Sequence, residues 1–360
     1  MTYKIPLFFL FSWWIFNIQC NLLPTATLFE KKYNEVAYAT THNGQSHLPS
    51  LVQNQDLPII EQLKSGIRAI KIPVWHDCNK DGKYVLFACH GISKELLRNV
   101  YLGSLISRIP WVFKPFARKI YNQIYPVDSL VEQAINYAYG KNDNESGILP
   151  FHHSICDPAG RPLADVFKEI RFFLETNPEE VITLILEDFT FNRVGIAMTA
   201  QESGLLPYIY TQDIHKSWAT LGDMVAQGKR LVLFVRNGDQ IIHDSYPWLH
   251  NLWEFAWDTR WDFKKIRDFK KDIVPNRGKL AFMLRDSKPN NKLFIVYHFI
   301  TPIAGGSKRK AMRANRTRIL RNRMQRLTKE TGHMPNFIQV DFFEYPHTNI
   351  IALVNELNSH

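Results

Sequence analysis

Polar or ionisable side chains stand at the ends of eight short apolar runs in this chain of 360 residues. In a parallel barrel the carboxyl ends of the strands meet at one mouth, so side chains at those positions can form an active site. We expect the following residues to meet there: His42, Lys71, His90, Glu187, Arg236, Asp258, His298 and Asp341.

Two histidines in this set could catalyse an in-line displacement at phosphorus. His42 and His90 could act as general base and general acid, provided that a cation neutralises the phosphoryl oxygens. Lys71 and Arg236 are candidates for that cation. Asp341 ends the last run and would neighbour the first strand once a barrel closes, so it could hydrogen-bond His42 and fix its tautomer.

Metal chemistry is the alternative to a protein cation. Asn43 and Glu187 carry oxygen ligands of the kind that Ca²⁺ takes, but two such residues fall short of a site. No Cys/His spacing in the chain resembles a zinc site. Calcium is therefore a candidate cofactor, and no cofactor is required by the sequence.

The elements that must position these residues follow from the apolar runs. The runs are Glu35–Asn43, Ala69–Trp75, Tyr84–His90, Val181–Asp188, Arg230–Asn237, Leu252–Asp258, Leu293–Phe299 and Phe337–Glu344. Segments that permit helix separate most of them, and the most apolar runs do not alternate, as in strands covered by helices on both faces. The pattern predicts an α/β fold, a distorted (β/α)₈ barrel of the TIM type, with an insertion at about 92–150 between the third and fourth runs.

The first twenty residues form a separate segment. Lys4 is followed by the apolar stretch Ile5–Ile18, which is too short to span a bilayer comfortably. We expect residues 1–20 to be an export signal, which predicts a secreted, periplasmic or cell-surface protein. An N-terminal membrane anchor that is retained is the alternative.

Export would place the remaining cysteines in an oxidising compartment. Cys78, Cys89 and Cys156 remain after the leader. The preferred disulfide is Cys89 with Cys156, because both adjoin histidine-bearing strand ends or loops. Three buried free thiols are the alternative.

The formal net charge is +10, and much of it lies in Lys308–Lys329. Apolar residues at nearly helical spacing predict a helix with one buried stripe and a solvated basic face; they are Met312, Ile319, Leu320, Met324 and Leu327. The stretch contains no aromatic residue on which bases could stack, which argues against a nucleic-acid partner. A basic exterior suits a monomer that approaches an anionic phospholipid surface. Lys94–Tyr125 mixes basic residues with Trp and Phe, which is typical either of an interfacial segment or of helices packed on the barrel.

Several separated motifs, in order, resemble those of the phosphatidylinositol-specific phospholipase C X-domain family. They are most similar to the secreted single-domain branch of PLC-like phosphodiesterases. The motifs are Ala39–Asn43, Gln53–Gln55, Gly66–Arg68, Ala88–Gly91, Phe173–Leu184, Tyr297–Phe299 and Pro335–Glu344. The resemblance covers roughly residues 33–358 and implies the barrel fold of that family.

The resemblance also implies roles for individual residues. His42 resembles the base that removes the inositol 2-hydroxyl proton, and His90 resembles the acid that protonates the departing diacylglycerol oxygen. Asp341 matches the carboxylate that pairs with the base. Arg236 and Asp258 fall near positions that contact the inositol head group.

The second strand departs from the family pattern. Calcium-dependent members have two acidic ligands at the positions of Lys71 and Pro73, and calcium-independent members have a catalytic arginine at the position of Pro73. Lys71 lies two residues from Pro73, so it shares a strand face with it and could reach the phosphate instead. Pro73 removes a ladder donor, which predicts a bulge or an early end of this strand.

A second histidine motif leaves the general acid open. The segment His152–Cys156, which contains His153, resembles the stretch that surrounds the acid histidine in fungal members. We prefer His90, because it follows the second strand by a single short link and precedes Gly91.

Three functions follow as expectations. The first is cleavage of phosphatidylinositol-type lipids by His/His acid–base catalysis, with release of diacylglycerol and cyclic or open inositol phosphate. The second is phosphodiesterase action on another phospholipid or glycerophosphodiester head group. The third is non-catalytic binding of lipid or inositol phosphate.

Overall fold

The computed structural model describes residues 28–50, 52–78, 84–92, 155–236, 245–284, 292–301 and 305–359. The expected leader, most of the insertion, Lys94–Tyr125 and His153 lie outside these residues. No helix among the described residues is both long and apolar enough to cross a membrane.

The described strands are β1 (Tyr38–Thr41), β2 (Ala69–Cys78), β3 (Tyr84–Ala88), β4 (Gly91–Ile92), β5 (Ile155–Cys156), β6 (Arg161–Pro162), β7 (Ile182–Asp188), β8 (Leu231–Val235), β9 (Leu249–Asn251), β10 (Ala256–Asp258), β11 (Leu293–Tyr297) and β12 (Phe337–Val340). The described α-helices are α1 (Ile59–Lys64), α2 (Leu163–Thr176), α3 (Arg193–Glu202), α4 (Leu221–Ala226), α5 (Leu252–Phe255), α6 (Lys279–Met283), α7 (Lys308–Ala314), α8 (Thr317–Thr331) and α9 (Asn349–Asn358). Short 3₁₀ helices lie at Tyr33–Glu35, Leu206–Tyr208 and Ile266–Lys271.

Eight of these strands form one parallel sheet in the order β10-β11-β12-β1-β2-β7-β8-β9. The first strand is central, because Tyr38 pairs with Phe337 on one side and Thr40 pairs with Ala69 on the other. Within the described residues no ladder joins β9 to β10, so the barrel is open there. Only the four residues of α5 connect these two strands, whereas a parallel pair needs a crossover of about a dozen. The α/β fold with a distorted TIM-type barrel is confirmed.

One of the eight predicted runs is wrong as a barrel strand. Strand β3 pairs antiparallel with β2, from Val74 opposite Ala88 to Cys78 opposite Tyr84, and forms a hairpin on the outside of the parallel order. The link between the two strands is too short for a parallel crossover. The missing barrel strand is β9, which precedes the run predicted at Leu252–Asp258; the first half of that run is α5.

The sequence predicted a bulge or an early strand end at Pro73, and this prediction is wrong. Strand β2 continues to Cys78, and Pro73 pairs with Glu187 of β7. Its carbonyl accepts from the Cys89 N–H (3.1 Å), on the side where pairing with β1 ends at Ile70. The proline therefore lies where the parallel ladder requires no further donor.

Two apolar layers hold the sheet. One layer fills the barrel with inward-facing residues such as Phe234 and Phe337, closed at the amino end by Tyr33 and Trp218. The Tyr33 and Trp218 rings lie 4.4 Å apart, and the Tyr33 hydroxyl bonds that of Thr183 (2.6 Å). The other layer packs the outer face of the sheet against the helices.

The basic stretch differs from its prediction in three respects: it forms two helices, α7 and α8, its buried stripe contains an arginine, and Met312 is exposed. Leu320, Met324 and Leu327 are buried as expected, but so is Arg323. Its guanidinium donates to Asp272 Oδ1 (2.6 Å) and to the Tyr297 carbonyl (2.7 Å). A buried counter-ion and a carbonyl therefore accommodate an arginine inside the predicted apolar stripe. Met312 lies on α7 and is exposed.

Removal of the Asp272 carboxylate should be strongly destabilising, because it leaves Arg323 charged and buried. For Asp272→Ala we expect a loss of about 3–5 kcal/mol in the free energy of unfolding, measured by urea denaturation. Glu330→Ala is the control, because Glu330 forms an exposed pair with Arg326 and should cost less than about 1 kcal/mol. Equal losses in the two variants would contradict this role of the buried pair.

Candidate active site

Strand alternation decides which candidates face the inside of the barrel. Side chains two residues apart share a face, so a buried interior residue predicts the direction of the polar residue at the end of its strand. Interior residues precede each inward candidate by two or four positions. The pairs are Tyr38 with His42, Ala69 with Lys71, Ile185 with Glu187, Phe234 with Arg236, Ala256 with Asp258, and Phe337 with Asp341.

His298 has the opposite parity, so its expected place at the mouth is wrong. It is fully buried behind the sheet, where Nδ1 accepts from Arg323 (3.2 Å) and Nε2 donates to the Ala314 carbonyl (2.9 Å). Burial and the Arg323 charge lower the pKa of His298 to about 3. It is a neutral residue that ties β11 to the helices.

His42 and Asp341 form the pair that the sequence predicted. Parallel pairing of the first strand, β1, with the last strand, β12, brings the two residues together. His42 Nδ1 donates to Asp341 Oδ1 (2.8 Å). This bond leaves the lone pair of the neutral imidazole on Nε2. Burial lowers the pKa of His42, although Asp341 opposes the shift, so the ring is neutral and able to accept a proton. The ring also stacks on Phe299, with centroids 3.9 Å apart.

Two neighbouring amides hold this pair in position. Asn54 Nδ2 donates to Asp341 Oδ1 (2.9 Å), and Gln55 Nε2 donates to the His42 carbonyl (2.8 Å). Asn54 Oδ1 in turn accepts from Asn43 Nδ2 (3.0 Å). Sequence reasoning assigned no role to Asn54 or Gln55, although both lie in one of the motifs that carried the resemblance.

His90 reaches the same mouth from the hairpin rather than from a barrel strand. Its backbone N–H donates to Asp157 Oδ2 (2.8 Å), and its ring Nδ1 donates to the Gly91 carbonyl (3.1 Å), so Nε2 is the titrating atom. Burial lowers the pKa of His90 to about 4, and the nearby Lys71 and His42 lower it as well. The expected disulfide between Cys89 and Cys156 is confirmed, and it fixes the residue that precedes His90.

Lys71 lies at the centre of an ionic network. Its ammonium donates to Asn43 Oδ1 (2.9 Å) and pairs with Glu187, which also pairs with Arg236. Burial by itself would raise the pKa of Glu187, but Lys71 and Arg236 lower it to about 2. Burial keeps the pKa of Lys71 below its ordinary value; Glu187 opposes this shift, and the charges of Arg236 and Arg277 add to it.

This network does not fit calcium. The two candidate ligands, Asn43 and Glu187, converge on one point, and the Lys71 ammonium lies at that point. Calcium needs six to eight oxygen ligands, and the residues described here contain no group of three or more acidic, His or Cys side chains that could hold a metal ion. Lys71 and Arg236 both pair with Glu187 and place two positive charges there.

Asp258 is fully buried and holds another residue at the mouth. Its Oδ1 accepts from the Arg277 backbone N–H (2.7 Å), and Oδ2 accepts from Arg277 Nε (2.7 Å). The Arg277 guanidinium also donates to the Tyr297 hydroxyl (2.8 Å). Arg277 lies in the loop after β10, where no periodic pattern indicates it.

The fold and a family match assign this chain to the phospholipase C-like phosphodiesterases. Among such proteins, the PI-PLC X family (PI-PLC X 1) matches residues 116–358. The chain therefore belongs to the PI-PLC X family. The match begins after His42 and His90, whereas the alternative acid His153 lies within it.

Relatives and solved structures agree with this assignment. An uncharacterized secreted protein of Arthroderma benhamiae is 24% identical over 59% of this chain and 51% of its own length. A PI-PLC X domain-containing protein of Arabidopsis thaliana is 21% identical over 89% of this chain and 61% of its own. The chain thus spans less than two thirds of the length of both relatives.

Two solved structures share the fold. Phosphatidylinositol-specific phospholipase C of Listeria monocytogenes has a TM-score of 0.50 at 15% identity, over 92% of this chain and 97% of that one. A double mutant of the Staphylococcus aureus enzyme has a TM-score of 0.50 at 12% identity, over 93% and 95% of the two chains.

The ionic network predicts how the site responds to calcium. In Lys71→Glu a carboxylate replaces the ammonium between Asn43 and Glu187, so this variant should gain a weak Ca²⁺ site with a Kd of about 10⁻⁴–10⁻³ M, measured by isothermal titration calorimetry. Lys71→Met removes the charge without adding a ligand and should not gain the site. If the wild type bound calcium and Glu187→Gln abolished that binding, the conclusion that this network does not fit calcium would be contradicted.

Proposed function

We propose that this protein cleaves the phosphodiester bond of phosphatidylinositol-type lipids without a metal ion, releasing diacylglycerol and a cyclic inositol phosphate. The observation that carries the proposal is the His42–Asp341 pair, which shares one mouth with His90 and Lys71. The fold shared with phosphatidylinositol-specific phospholipases C supports the reaction class.

In the proposed reaction His42 is the base. Its Nε2 takes the proton of the inositol 2-hydroxyl while that oxygen attacks phosphorus, and Asp341 stabilises the imidazolium that forms. The bond from phosphorus to the diacylglycerol oxygen breaks as a new phosphorus–oxygen bond closes the ring. Lys71 and Arg236 neutralise the charge on the phosphoryl oxygens.

His90 is the proposed acid, and because its pKa is low it must gain a proton before it can act. With a pKa of about 4, lowered first by burial and then by Lys71, His90 is neutral at pH 7. A bound phosphodiester anion beside the ring opposes both effects and raises the pKa of His90, so that substrate binding favours its protonation. His90 Nε2 then donates that proton to the departing oxygen. His42 releases the proton that it took to solvent, which restores the starting state.

Turnover of phosphatidylinositol vesicles, followed by phosphorus NMR, tests the function. We expect cyclic phosphate in the presence of chelator and no requirement for added calcium. His42→Ala and His90→Ala should each lower turnover by about 10²-fold or more, because each removes a proton-transfer group. His153→Ala is the control and should retain the wild-type rate.

A wild-type rate in either of the first two variants would overturn the assignment of acid and base. Absence of product from phosphatidylinositol, with product from another glycerophosphodiester, would favour the second head-group class. Vesicle binding without turnover of any phosphodiester would indicate a non-catalytic lipid-binding protein.

We also propose that the mouth docks on an anionic phospholipid surface. Phe191 is 77% exposed and Phe189 39% exposed in the loop that follows Glu187 on β7, and Phe189 stacks on Trp75 with centroids 4.4 Å apart. These apolar rings lie beside the candidate site, and the net charge of +10 favours approach to anionic lipid. The secreted relative supports export of the protein to reach such a surface.

Vesicle co-sedimentation tests this docking. Phe191→Ser should weaken binding to phosphatidylinositol-containing vesicles by about tenfold or more, because a buried ring is lost from the interface. Phe172→Ser is the matched control, since Phe172 is 59% exposed on α2, away from the mouth. An equal loss in both variants would contradict docking through the mouth.

A further inference from the structure

Arg277 is the residue of the mouth that the phosphodiester reaction does not use. Its side chain is 24% exposed, whereas the Asp258 carboxylate beneath it has no exposure. Nε and Nη2 bind Asp258, and Nη2 also binds the Tyr297 hydroxyl. Among the described residues, Nη1 has no hydrogen-bond partner.

The backbone holds Arg277 rigidly at this place. The segment before it runs back along the end of β10, with the Asn276 N–H donating to the Asp258 carbonyl (2.9 Å). Gly278 follows with φ +70°, and a Cβ there would lie 2.1 Å from the Ala256 carbonyl oxygen. Only glycine permits this close turn, which sets Arg277 against the strand end.

The guanidinium is also held from the side. Its carbon lies 4.7 Å from the centroid of the Trp253 ring and 5.4 Å from that of Tyr297. The side chain is therefore fixed before any ligand arrives, which lowers the entropy lost on binding. The charge of Arg277 adds to the effect of burial in lowering the pKa of Lys71, so the two cations are close enough to interact.

The hydrogen bonds of Asp258 determine which chemical group of this part of the mouth a ligand can meet. A free carboxylate would accept hydrogen bonds from the hydroxyls of a neutral head group, but both oxygens of Asp258 are occupied by Arg277. The group presented to a ligand is instead a guanidinium, which only donates. Charge-assisted bonds from a guanidinium to a carboxylate or phosphate are stronger than bonds to a hydroxyl.

We propose that Arg277 is an anion subsite beside the scissile phosphodiester, and that it selects head groups carrying a second anionic group. This inference rests on the proposed function only in placing the phosphodiester at Lys71 and Arg236. The second group is a phosphate monoester or a carboxylate, since both match the guanidinium edge. Arg277 thus determines specificity at a position where Asp258 was expected to contact the substrate.

Calorimetric binding of soluble phosphodiesters to the His42→Ala protein tests the proposal without turnover. The probes are glycerophosphoinositol, glycerophosphoinositol 4-phosphate and glycerophosphoserine, which carry no second anion, a phosphate monoester and a carboxylate. We expect at least one of the two anionic probes to bind about tenfold more tightly than glycerophosphoinositol. The preferred probe identifies the source of the second anion.

Substitution of Arg277 locates the preference. Adding Arg277→Gln should abolish the preference while leaving the affinity for glycerophosphoinositol within about twofold, and Arg277→Lys should retain part of it. Arg260→Gln is the matched control, because Arg260 pairs with Asp262 on the same stretch of chain and should change neither affinity. A preference that survives Arg277→Gln, or equal binding of all three probes, would overturn the proposal. Failure of turnover with this preference intact would overturn the proposed reaction alone.

Discussion

Closure of the sheet between its first and last strands is the constraint on which the candidate site depends. Strand β1 pairs with β12 over four residues, and this pairing joins positions about three hundred residues apart in sequence. The residues that follow the two strands, His42 and Asp341, then lie within one hydrogen bond of each other. Asn54 and Gln55 bind both sides of this junction, so the loop after β1 fastens the closure as well as the histidine.

Two buried carboxylates in the described part of the mouth are paired with cations. Glu187 lies between Lys71 and Arg236, and Asp258 lies beneath Arg277. A buried charge without a partner would cost several kcal/mol, and Glu187 and Asp258 each hold a cation. In the same arrangement the Lys71 ammonium occupies the space between two potential metal ligands, Asn43 and Glu187.

Much of this site could be predicted from the alternation of strands. Six of the eight expected residues have inward parity, and the buried residues two or four positions before them define it. The same rule would have excluded His298, which lies between the inward residues Tyr297 and Phe299. The antiparallel β3 could also have been recognised, because its link to β2 is shorter than a parallel crossover. Arg277 could not, since it lies in a loop whose course depends on tertiary bonds to Asp258 and on the turn at Gly278.

The Cys89–Cys156 bond has a consequence for how this chain can vary. It joins two residues 67 positions apart, and the adjacent β4–β5 pairing places Gly91 opposite Cys156. Asp157, next to Cys156, holds the backbone of His90. Both ends of the intervening stretch are therefore anchored at the barrel. The position of His90 is set by these bonds at the two ends, which hold together two parts of the chain that are distant in sequence.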